Sequence, residues 1–121
     1  MTRRGPLEDL VHWRGEPDAL VRAIRRSGAK GPVVLSRDHA AAAVAKVADG
    51  LARPEELVDW AHAVHFEDEI DIEEGHEDLL TQFLFEVSTP ELFEPIGRQV
   101  CQRWLSVLRA SPASEAEAPG R

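Results

Sequence analysis

The chain has 121 residues, 43% of them hydrophobic, and its 22 Asp/Glu against 14 Lys/Arg leave a formal net charge of −8. That size and apolar share suit one domain with a real core, and the longest apolar stretches fall far short of the ~20 residues needed to cross a bilayer. A single cysteine, Cys101, excludes an internal disulfide and a cysteine-rich zinc site.

The first ten residues, MTRRGPLEDL, turn polar at once, so no secretory leader is expected and the chain reads as cytoplasmic. Pro6 to Trp13 predicts a short helix, with Leu7, Leu10 and Val11 on one face, ended by Gly15. Glu16 and Pro17 start a second helix, since proline suits a first helical position whose N–H has no partner. Leu20, Val21 and Ile24 form its apolar stripe, Arg25 and Arg26 complement the dipole of its last turn, and Gly28 closes it. Val33 to Leu35 reads as a buried linker, because no second strong strand run is in view to pair with it. Ser36 is a good N-cap for an alanine-rich helix over Asp38 to Ala48, stopped by Gly50. Pro54, with Glu55 and Glu56, opens a fourth helix whose face is Leu57, Trp60, Ala61 and Val64.

The acidic run follows. Phe66 to Asp78, FEDEIDIEEGHED, packs eight carboxylates into thirteen residues: Glu67, Asp68, Glu69, Asp71, Glu73, Glu74, Glu77 and Asp78. The alternation Ile70-Asp71-Ile72 predicts an extended piece pinned by two isoleucines. The surrounding window, residues 54–97, holds fourteen Asp/Glu and no Lys/Arg, whereas 1–53 is net +4 and 98–121 is net +2. Crowded like charges cost folding free energy through self-repulsion. The run is either a solvated face or a surface that steers a basic partner inward.

His76 to Val87 predicts the most apolar helix, through Leu79, Leu80, Phe83, Leu84 and Val87, broken by Ser88-Thr89-Pro90. A short turn through Glu91 to Phe93 leads to a last helix over Gly97 to Ala110, striped by Val100, Cys101, Trp104, Leu105 and Leu108. Residues 111–121, SPASEAEAPGR, lack large apolar side chains and are expected to be a disordered tail. The expected architecture is all-α: one domain over 1–110, a compact bundle of five to six short helices.

Chemistry-bearing patterns are sparse. His62 and His65 share a helical face and Glu69 follows four residues later, an N/O set that zinc or another transition metal would accept. No cofactor is otherwise indicated. An EF-hand register started at Glu69 fails, since its glycine falls one place late and Leu80 stands where a bidentate glutamate belongs. Ser36, Asp38 and His39 adjoin on a helix start and read as a cap rather than a triad. Cys101 lies on an apolar stripe as a small core residue. No catalytic residue is assigned. Arg22, Arg25, Arg26 and Lys30 cluster, but a net −8 chain is repelled by phosphate, so nucleic acid is not expected as a partner.

The order ARPEELVDWAHAV (52–64), GHEDLLTQFLFEVSTPELFEP (75–95) and QVCQRWL (99–105) resembles small acidic helical proteins of actinobacteria. More loosely, it is similar to the immunity proteins that bacteria make against their own nuclease or bacteriocin toxins. The resemblance implies a compact, non-enzymatic protein that binds a basic toxin domain by charge complementarity, and it transfers no residue role.

The leading expectation is therefore a binding module for a basic protein partner, docking through Trp60, Phe66, Glu67, Asp68, Glu69, Asp71, Glu73, Glu74, Glu77 and Asp78. The alternatives are a metal module built on His62, His65 and Glu69, and a regulatory or structural subunit that pairs through an apolar helix face.

Overall fold

The computed structural model describes residues 5–28 and 30–110. The tail expected over 111–121 lies outside them. The described elements are α1 (Pro6–Val11), α2 (Pro17–Ser27), β1 (Val33–Leu35), α3 (Arg37–Ala48), α4 (Pro54–His65), β2 (Ile70–Ile72), α5 (Glu77–Ser88), a 3-10 turn at Pro90–Leu92, and α6 (Arg98–Leu108). The fold is all-α, and among the described residues it has six helices and one sheet, a pair of three-residue strands. No helix among the described residues is long and apolar enough to cross a membrane.

Local chemistry sets the helix ends. Proline stands in the first turn of α1, α2 and α4, where a missing N–H costs nothing. Gly28 ends α2 at φ 64°, a left-handed conformation that glycine adopts without a Cβ clash. Ser36 caps α3: its hydroxyl accepts the His39 N–H, and the His39 Nδ1 accepts the Ser36 N–H. That reciprocal arrangement is a capping box with histidine in the usual glutamate position.

The helices pack in pairs, α4 on α5, α3 on α6 and α1 on α2. Ala40, Ala41 and Ala43 are buried, and their small side chains let α6 approach α3 closely. An aromatic chain crosses the core. Trp13 stacks on Trp60 at 5.8 Å, Trp60 meets Phe83 at 6.5 Å, and Phe83 meets Trp104 edge-on at 5.1 Å. These offset and edge contacts suit the ring quadrupoles. The Trp60 indole N–H also donates to the Leu10 carbonyl at 2.7 Å, which ties α4 to the end of α1.

Two expectations are corrected. Trp13 is not part of α1. It follows the helix at φ 54°, a conformation rare for a bulky residue. Lys46 Nζ fixes it there, donating to the Trp13 carbonyl at 2.9 Å and lying 4.4 Å from the ring centroid. Val33 to Leu35 is not a linker but a strand, paired in parallel with Ile70 to Ile72. Its missing partner was the acidic run itself, reached through the crossover of α3 and α4 that parallel strands require.

Trp60→Phe should lower stability by about 1–3 kcal/mol, because it loses a buried hydrogen bond and leaves space beside Trp13. Urea denaturation followed by circular dichroism checks this. Trp104→Phe should cost less, since the Trp104 indole makes no such bond among the described residues.

Candidate functional site

The acidic run occupies the stretch between α4 and α5, and the fold divides its carboxylates into two sets. Glu69 Oε1 accepts the Gly31 N–H at 2.6 Å, and Glu73 Oε1 accepts the Arg37 N–H at 2.9 Å. These two contacts sit just outside the ends of the strand pair, whose residues match Val33 with Ile70, Val34 with Asp71 and Leu35 with Ile72. The Val33 N–H donates to the Glu69 carbonyl and the Glu73 N–H to the Leu35 carbonyl, at 3.2 and 2.9 Å. Glu67 and Glu77 accept nearer N–H groups, from Glu69 at 3.5 Å and from Gly75 at 3.0 Å. The approach at Gly31 is so close that a Cβ there would overlap the Glu69 carbonyl oxygen.

The second set is Asp68, Asp71, Glu74 and Asp78. All four are exposed, and none makes a hydrogen bond or ion pair among the described residues. Ile70 is buried below them and Ile72 packs against the core, as the alternation predicts. Arg37 pairs instead with Glu73 of the first set, its Nε 3.7 Å from Glu73 Oε1, while its Nη1 donates to the Ala110 carbonyl.

Phe66 ends α4 and stands 67% exposed. Its ring lies 4.7 Å from that of His62 and 5.1 Å from that of His65. Beside it runs a groove of about 440 Å³ between α2 and α4, lined by Arg22 and Arg25 on one side and by Asp59, His62 and Glu67 on the other. Asp59, with the nearby Asp18, adds carboxylates that the run alone did not suggest. The signal was available, since Asp59, His62 and Phe66 recur at helical spacing on one face of α4.

Trp60 does not belong to this surface. It is 0% exposed, and its polar atom is bound inside the core, so it offers nothing to a partner. The metal set is not assembled either. Helix α4 ends at His65, so Glu69 does not continue its face, and the Glu69 carboxylate reaches Gly31 instead. Among the described residues no group of three or more His, Cys, Asp or Glu side chains is placed to hold a metal ion. Cys101 is buried, and burial pushes its thiol pKa up, which keeps it protonated and unreactive.

The start of α3, to which Glu73 is fastened, carries a titratable junction. His39 is pushed below its ordinary value of 6.5, first by burial and next by His12, whose ring stands edge-on at 4.4 Å. Arg14 acts in the same direction, while Asp38 and Glu73 oppose it. A histidine that resists protonation in the fold contributes stability above its unfolded pKa, and that contribution is lost as pH falls through the folded value. Protonation at Nδ1 would also end its acceptance of the Ser36 N–H. The unfolding midpoint should therefore fall as pH drops below 6.5. His39→Gln can keep the capping box without titrating, so it should flatten that decline in denaturation curves taken between pH 7.5 and 5.5, values of about one unit on either side of the histidine range.

Comparison of the chain with protein-family models, with curated proteins and with solved structures gives no match.

Proposed function

We propose that the chain is a non-enzymatic docking module for a basic protein partner, of which neutralisation of a basic toxin domain is the most concrete form. One observation carries this reading: four carboxylates, Asp68, Asp71, Glu74 and Asp78, unpaired among the described residues, stand exposed on a segment that follows the exposed Phe66 and is clamped to the core. Fixed like charges steer a basic surface and fix its register. An aromatic side chain already in place costs little entropy to bury and is a common interface anchor.

The test must spare the carboxylates that hold the segment. The variant Asp68→Asn/Asp71→Asn/Glu74→Gln/Asp78→Asn leaves Glu69 and Glu73 in place and should keep its circular dichroism spectrum. A basic protein captured by the wild type at about 50 mM salt should be lost at about 500 mM, where the Debye length falls below half. It should also be lost by the variant at low salt. Retention of the same partner by the folded variant overturns this placement of the interface.

A second reading has its own support. Phe85 and Phe93 meet edge-on at 5.4 Å, and both are exposed beside Leu92, which is 64% exposed. This patch suits association through an apolar face, as a regulatory or structural subunit would need. Such association would survive high salt and be abolished by Leu92→Asp/Phe93→Asp, which sedimentation at both salt concentrations would read.

A further inference from the structure

Arg53 and Arg98 are the two basic residues that bracket the acidic window of the sequence, and the fold brings them to one hollow. The hollow has a volume of about 670 Å³ and opens where the last turn of α3 meets the first turns of α4 and α6. Val47, Ala52, Ile96 and Cys101 contribute its apolar lining. Among the described residues its only charged lining is the two arginines, and no carboxylate lines it. In a chain of net charge −8, this is a locally positive concavity.

The arginines are available. Arg53 has one distant ion-pair partner, Glu56 at 3.9 Å, and that same carboxylate oxygen already accepts the Arg53 backbone N–H. Exposed pairs of this kind contribute little. Arg98 is exposed and makes no ion pair among the described residues. Two guanidinium groups around an apolar hollow match a ligand with an anionic head and an apolar body. Arginine's planar donors suit a carboxylate, and the volume lies in the range of small-molecule sites. Among the described residues the lining includes one side-chain amide, Gln102, and no hydroxyl, few side-chain partners for the row of N–H and C=O groups that a peptide would bring.

We propose that this hollow binds a small acyl carboxylate, with Arg53 and Arg98 holding the head and the apolar lining covering the chain. It is separate from the acidic docking face and does not depend on that reading.

Titration calorimetry of the full chain with octanoate, 1-octanol and acetate tests it. Octanoate should bind saturably at one site, with octanol and acetate each weaker by about tenfold or more, since each lacks one half of the recognition. Arg53→Gln/Arg98→Gln should weaken octanoate by about tenfold or more and leave octanol unchanged. Absence of saturable octanoate binding overturns the proposal. So does equal binding of octanol, which would mean apolar contact alone, or of acetate, which would mean a bare anion site. Unchanged octanoate affinity in the folded double variant also overturns it. If the double variant fails to fold, Ala48→Trp, which places a large ring at the edge of the hollow, must abolish octanoate binding, and unchanged binding there refutes the site.

Discussion

The parallel ladder between Val33–Leu35 and Ile70–Ile72 is closed at each end by a carboxylate of the acidic run, Glu69 on the Gly31 N–H and Glu73 on the Arg37 N–H. Two strands of three residues are too little to hold themselves in water. Here Leu35 and Ile70 are anchored in the helical core, and the flanking charge-assisted hydrogen bonds stop both ends from fraying. The junction fixes the run from Glu69 to Glu73 on the body. Without it, a segment of eight like charges would be driven off the body by its own repulsion.

The junction also explains how the molecule tolerates its charge pattern. Four carboxylates satisfy backbone N–H groups, and the other four point into solvent, where repulsion is screened. Basic residues meet the run at its edges, with Arg22 and Arg25 lining the groove that Phe66 and Glu67 share and Arg37 paired with Glu73, while Arg53 and Arg98 line a separate hollow. Asp68, Asp71, Glu74 and Asp78 are left without an ion pair among the described residues.

Much of the fold was legible in the chain. Pro6, Pro17 and Pro54 mark helix starts, Gly28 and Gly50 mark stops, and the stripes through α4, α5 and α6 show which faces are buried. The strand pair was not legible, because Val33 and Ile70 lie 37 positions apart and neither segment is long enough to announce a partner. The site was legible only in part. Exposure of Asp68, Asp71, Glu74 and Asp78 agrees with a charged run on a folded body, but nothing in FEDEIDIEEGHED separates Glu69 and Glu73 from their neighbours. Their roles depend on N–H groups more than thirty residues away. Trp60 misled for the opposite reason: its nearness to the run in sequence suggested a surface, while its place on the Leu57–Val64 stripe meant burial.

The crossover that joins the two strands also makes their ladder a non-local contact. Closing a loop that spans α3 and α4 costs entropy that only long-range contacts can offset. The ladder is therefore a long-range contact, whose closure cost is offset by the packing of the helices around it. An unfinished chain carries the same number of negative charges, but they trail from it as a polyanion without shape. Only the finished chain holds Asp68, Asp71, Glu74 and Asp78 exposed on a segment whose backbone is tied to β1 and the start of α3.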